Sequence, residues 1–164
     1  MGLTVYVKTI VQNNVDKVEA SHHNNQETQL AALTDNALII QTLVAQNVVF
    51  GSVGAGVGAE QAVLVAPAAC RVYGISLVNG ANLAANGINY TKLELVNKGS
   101  SGSGTTILAT FDGSADSFTA FDASVKTFSV DLESGDVLAL KKTDFGAGAA
   151  VTDLLCSVSY KPIP

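Results

Sequence analysis

Lys126-Thr127-Phe128-Ser129-Val130-Asp131-Leu132-Glu133-Ser134-Gly135-Asp136-Val137-Leu138-Ala139-Leu140 is the stretch that decides the fold. Side chains of an extended chain alternate between two faces. Lys126, Phe128, Val130 and Leu132 share one face, and Thr127, Ser129 and Asp131 share the other. That pattern is a half-buried strand with one wet side, as in antiparallel sheets. Ser134-Gly135-Asp136 then makes a tight turn, and Val137–Leu140 reads as a returning strand.

The same period extends in both directions from this hairpin. Leu154, Cys156, Val158 and Tyr160 oppose Asp153, Ser157 and Ser159, while Leu93 and Leu95 oppose Lys92 and Glu94. Turn signals separate the runs at Asn79-Gly80, Asn86-Gly87, Gly99–Gly104, Asp112-Gly113 and Gly146–Gly148. About eight strands are predicted, near 61–66, 70–78, 89–97, 105–111, 117–121, 125–132, 136–142 and 152–160. No helical period lies between them, which excludes a parallel α/β sheet. The expected class is mainly β, an antiparallel β-sandwich of jelly-roll type over 61–164. Pro67 has no N–H to give a ladder and belongs at an edge or a bulge.

Upstream the period changes. Leu30, Leu33, Ala37, Ile40 and Val44 follow spacings of three and four, an a/d seam, and Ala32, Ile39 and Leu43 widen it. Asn24 or Asn25 can cap the start, and Glu27 suits the positive end of the helix dipole. We therefore expect an oligomerisation helix over 26–50 that forms a trimeric helical bundle. The alternative is an ordinary amphipathic helix packed on its own sandwich. Residues 51–60, with Gly51, Gly54, Gly56 and Gly58, read as a flexible hinge, and residues 1–25 as an extended arm.

Composition narrows the function. The chain has 164 residues, 48% hydrophobic and only 14% charged, with a net charge of −5. Its nine basic residues are scattered, and Arg71 is the only arginine. A basic stripe that could displace phosphate counterions is missing, so neither nucleic acid nor an anionic membrane is an expected partner. A surface this poor in charge predicts apolar patches that other chains cover. Apolar runs break before the length of a membrane span, and Met1–Lys8 lacks the basic region of a secretory leader, so none is expected. Cys70 and Cys156 are predicted to be free, buried thiols.

Nothing assembles into a catalytic, cofactor or metal site. His22 and His23 are adjacent, point apart and read as solvated linker, although one histidine per subunit could meet on a trimer axis. Asp112, Asp116 and Asp122, and Asp131, Glu133 and Asp136, fit no calcium-loop spacing and read as turn residues. The glycine runs follow no strand of a βαβ unit, so they are not phosphate cradles.

Val63–Val78 (VLVAPAACRVYGISLV), Tyr90–Gly99 (YTKLELVNKG) and Val130–Leu140 (VDLESGDVLAL) together resemble the capsid decoration (cement) and head-fibre proteins of tailed bacteriophages. The resemblance is one of pattern and covers roughly residues 60–160. It implies a homotrimer on the capsid exterior, made in the host cytoplasm, with the phage major capsid protein as partner. By the same resemblance residues 2–20, with Leu3, Val5, Tyr6, Val7, Ile10 and Val11, form the arm that grips the shell. The helix and hinge depart from a pure cement protein and suit a fibre that stands off the surface. A receptor- or carbohydrate-binding module is the alternative, and its aromatic candidates Tyr73, Tyr90 and Phe121 are read as core or cross-strand packing. A secreted trimeric signalling protein of the tumour-necrosis type is disfavoured by the lack of a leader.

Overall fold

The computed structural model describes residues 43–163. The arm, the two histidines and most of the expected helix lie outside them. Eight strands follow in order: β1 (Val44–Val53), β2 (Ala59–Val65), β3 (Cys70–Val78), β4 (Tyr90–Gly99), β5 (Thr106–Asp112), β6 (Ala123–Leu132), β7 (Val137–Phe145) and β8 (Val151–Pro162). They form two four-stranded antiparallel sheets, ordered β1-β8-β3-β6 and β2-β7-β4-β5.

Every hydrogen-bonded pair joins an odd-numbered strand to an even-numbered one, so the chain reverses at each connection. Every connection except β4–β5 passes from one sheet to the other. The inner faces meet in one core, where Val72, Leu77, Leu95, Leu138, Leu140, Leu154 and Val158 are fully buried and Phe111 nearly so. Burying such side chains is worth about 1.5–3 kcal/mol each, which is what holds two sheets together.

One end of the sandwich carries the connections 54–58, 79–89, 113–122 and 146–150, tied by Gly80 N–H to Thr152 O (2.7 Å) and Asn86 N–H to Gly113 O (2.9 Å). The other end carries 66–69, 100–105 and 133–136, together with the start of β1 and the end of β8. There Gly135 N–H donates to Ala66 O and Ile163 N–H to Ala69 O.

The strands of the opening stretch are present, but they are not a hairpin. The turn forms, with Asp136 N–H on Glu133 O (3.1 Å) and Gly135 at φ 88°. Yet β6 pairs with β3, and β7 pairs with β2 and β4. Alternation fixes which face of a strand is buried; it carries no information about which strand lies beside it.

Three further expectations change. The helix over 26–50 does not reach its predicted end, because Val44–Phe50 is strand, laddered to β8 from Val44↔Tyr160 to Val49↔Leu155. Val48 and Phe50 point inward two residues apart, and that β period, backed by a full ladder, prevails over the helical spacing that includes Val44. The expected hinge 51–60 is the end of β1, a turn and the start of β2. It is pinned rather than loose: Lys142 Nζ donates to Gly54 O (3.1 Å) and Val57 O (2.9 Å). Gly51 (φ 82°) and Gly56 (φ 72°) supply the left-handed backbone that β1 and its turn need. Finally, the strand expected at 117–121 is reduced to a single bridge, Leu83↔Phe118.

Candidate functional site

The outer face of the β1-β8-β3-β6 sheet is a grid fixed by cross-strand register. Inward positions such as Phe50, Leu154, Cys156, Val158, Ile75 and Leu77 are buried, so the residues between them face out. One row across the sheet reads Ala45, Ser159, Gly74 and Thr127. The next reads Asn47, Ser157, Ser76 and Val125, and the third Val49, Leu155, Val78 and Ala123. None of these side chains is charged. Val49 is 68% exposed, Val125 58% and Leu155 37%.

Charge appears only at the margins. Beyond the first row, Arg71 holds Asp131 in a two-pronged pair (Nε–Oδ1 2.6 Å, 2.8 Å for the second contact), with Lys161 beside it in register. The Arg71 guanidinium lowers the Asp131 carboxyl below its ordinary range, and that carboxylate raises the guanidinium in turn. Beyond the third row, Asp153 accepts from Ser52 Oγ (3.0 Å). Lys126 of β6 turns to the other side, where Nζ lies 3.2 Å from Asp116 and 5.5 Å from the centre of the Phe111 ring. Gly74 belongs to the grid because β3 bulges there against β6; a Cβ would stand 2.7 Å from Lys126 O.

One of the two edges of this face is β1, the other β6. Among the described residues nothing pairs with the outer edge of β1. A groove of about 440 Å³ opens where β1 and β2 part, lined by Gln46, Val48, Val63, Val65, Pro67 and Tyr160 among others. Gln61 Nε2 of β2 donates to Val49 O of β1 (3.3 Å).

Within the sandwich lies the other polar constellation. Lys142 is fully buried, and besides the two turn carbonyls its Nζ reaches Asp144 Oδ2 at 2.5 Å. Asp144 also accepts from Thr91 Oγ1, which in turn accepts from Ala149 N–H (2.9 Å). Burial pushes the Asp144 carboxyl up, but the hydrogen bonds from Lys142 and Thr91 outweigh it and hold it below its ordinary range. All three ammonium protons are placed, so the group ties β7 to the β1–β2 turn.

The residues singled out in the sequence fall as follows. Leu30, Leu33, Ala37 and Ile40 of the seam, and Leu3, Val5, Tyr6, Val7, Ile10 and Val11 of the arm, lie outside the described residues. Val44 opens β1 opposite Tyr160, 39% exposed. Cys70 and Cys156 are free and buried. Burial raises both thiols, Cys156 to about 12 and Cys70 with help from Asp136 and Asp131, so neither is a ready nucleophile.

The acidic loop is engaged in its own turn. Asp116 accepts from Asp112 N–H (2.9 Å), and Asp112, held at about 2 by Ser114 and Lys92, pairs with Lys92 at 2.9 Å. Among the described residues no group of three or more His, Cys, Asp or Glu is placed to hold a metal ion.

Of the aromatic candidates, Tyr90 stacks on Phe145 (4.7 Å, 8°), as cross-strand packing predicts. Phe121 is not packed: it is 81% exposed, at φ 61°. Sequence reading misses the whole grid on β1, since it places Ala45, Asn47 and Val49 in a helix. Val48-Val49-Phe50 is the available signal, three strand-forming residues running into a glycine.

No protein-family model matches the chain, and no curated protein matches it either. Among solved structures, a chain from the structure of infectious bursal disease virus, Gx strain, aligns with 75% of this chain at 11% identity and a TM-score of 0.26. This chain spans 37% of that one. Overlap at that level carries no argument about fold or function.

Proposed function

We propose that the chain is a non-catalytic structural virion protein of a tailed bacteriophage, binding the outside of the capsid as an oligomer that decorates or stabilises it. One observation carries this reading: the uncharged outer grid of the β1-β8-β3-β6 sheet. Water solvates charged side chains best, and soluble sheets keep them on their wet faces; interface cores are depleted of them. A face of Ser, Thr, Ala, Val and Asn across four strands suits a protein–protein contact.

The fold we assign is the jelly roll. Strand orders 1-8-3-6 and 2-7-4-5, with nearly every connection crossing between sheets, support that assignment; it is the double-sheet arrangement of many viral shell and lectin domains. The oligomer is a homotrimer joined through Leu30, Leu33, Ala37 and Ile40, and residues 2–20 contact the major capsid protein. Both statements rest on the sequence pattern and the family resemblance.

The test is binding to undecorated capsids of the parent phage. Deleting residues 2–20 should abolish co-sedimentation while the far-ultraviolet spectrum and thermal midpoint of the sandwich stay unchanged. Binding that survived the deletion would overturn the anchoring role.

A second reading has one specific observation in its favour. Phe121, exposed in a left-handed conformation that costs a non-glycine residue about 1–3 kcal/mol, sits on the loop end opposite the start of β1. Such a tip suits a receptor- or carbohydrate-binding module. Glycan-array or host-cell binding that Phe121→Ala removes would support it; an array blank for the wild-type protein would count against it.

A further inference from the structure

Edge strands present unpaired amides, and soluble sheets blunt them with charge, proline or bulges. The two sheets here end in β1, β6, β2 and β5. Three of these carry charge: Glu60 in β2, Asp112 in β5, Lys126 and Asp131 in β6. β1, VAQNVVFGSV, has neither charge nor proline. Its irregularities lie at Val49/Gly51 and beyond, so Val44–Val49 is a regular segment.

The direction of its free amides follows from one contact. Gln61, from the opposite sheet, donates to Val49 O, so that carbonyl is free of the β8 ladder and is read as turned to the other side. In antiparallel pairing the direction alternates, so the N–H and C=O of Ala45 and Asn47 are turned to the same free side. Gln61 occupies the carbonyl of Val49, and among the described residues nothing pairs with the free side of Val44–Val48.

We infer that this edge is a self-pairing site: Val44–Val48 of one copy pairs antiparallel with Val44–Val48 of a second copy, about a two-fold axis at Gln46. A two-fold contact requires a self-complementary surface. An uncharged strand meets its own image without like-charge repulsion, which an edge such as β6 would not. In this register Ala45 of each copy faces Asn47 of the other and the two exchange both backbone hydrogen bonds. Val44 faces Val48, and the two Gln46 side chains meet over the grooves, where amides can bond each other. The outer grids of the two copies become one continuous uncharged sheet face. The inference rests on the reading that copies of this chain assemble; because a two-fold contact cannot close a ring of three, it joins one trimer to another through their sandwiches.

The test uses the full chain. The Cα atoms of a non-hydrogen-bonded pair stand about 4.5 Å apart, within disulfide reach. Gln46→Cys, oxidised with glutathione disulfide, should therefore run as a covalent pair on a non-reducing gel. Val57→Cys, on the far turn and 53% exposed in the wild type, should not. Asn47→Pro removes a donor from the free side only, and Ala45→Lys places like charges across the axis. Each should halve the native mass measured by sedimentation without moving the thermal midpoint of the sandwich. An assembly whose mass ignores both substitutions, and whose Gln46→Cys variant fails to cross-link, overturns the edge pairing and leaves assembly standing. A wild-type chain that sediments as a monomer at micromolar concentration overturns both.

Discussion

The two sheets share one core and have four strands each, yet their outer faces are unlike. Across β2-β7-β4-β5 one row reads Glu60, Lys141, Glu94 and Thr110, so opposite charges alternate along the register. Lys92 pairs with Asp112 at 2.9 Å, and Lys98 with Glu60 at 2.8 Å. Across β1-β8-β3-β6 the equivalent positions carry hydroxyls, amides and methyls. Both faces satisfy the same backbone, so the ladder does not explain the difference. On the function proposed above, one face stays in water and the other leaves it when a neighbour arrives.

The largest effect should come from the charged pair, Lys142 and Asp144, that the β2-β7-β4-β5 sheet turns inward. Lys142→Ala strands the Asp144 carboxylate in the interior and releases the 54–57 turn. Urea denaturation should register a loss of about 3–5 kcal/mol, the usual cost of breaking a buried pair. If the loss stayed under about 1 kcal/mol, the inner network would have no structural role.

Next in size is an exchange of character between the outer faces. Val125→Asp with Ser157→Asp should weaken binding to undecorated capsids at least tenfold, about 1.4 kcal/mol, in co-sedimentation. Thr110→Asp, on the opposite face, should leave it unchanged. Equal responses would erase the distinction between the faces.

Acid sharpens the contrast in a different way. Asp112, Asp131 and Asp144 all have depressed carboxyl values in the folded chain, Asp112 at about 2. A depressed group stabilises the fold above its unfolded value and loses that contribution as pH falls through the folded one. The urea midpoint should therefore hold from neutral pH to about 4 and drop between about 4 and 2. Two of these three carboxylates belong to the β2-β7-β4-β5 sheet, so Lys92→Met with Asp112→Asn should flatten part of that drop.

The smallest effect is expected at the exposed ion pairs. Removing Lys98 or Glu60 singly should change stability by about 0–1 kcal/mol, because exposed pairs are screened by water and salt.

How much of this is legible in the sequence differs strand by strand. β6 and β8 can be read directly, since Phe128, Val130 and Leu132, and Leu154, Cys156 and Val158, alternate with polar residues. The poverty of charge is visible in the composition, but its concentration on one face is not. Ser157, Ser76 and Val125 become neighbours only through register between strands far apart in sequence. β1 is hidden for a local reason: Ile40 and Val44 continue a helical spacing, and nothing before Val48 announces a strand. The 134–136 turn is plain and its meaning is not, because a tight turn looks the same whether the strands it joins pair or part. Lys142 gives no sign of its role, as its partners Gly54, Val57 and Asp144 are drawn from a turn and its own strand.

The adjacency of β1 and β8 has a mechanical consequence. Val44 sits opposite Tyr160, so the strands that open and close the sandwich meet at the same end of it. Force applied between those two points would peel the ladder apart one rung at a time, like a zipper, and should open it at low load. Force carried from Val44 to the far loops would instead shear all the rungs of the same ladder together. The domain should therefore be weak when pulled between Val44 and Tyr160 and tough when strained along its length.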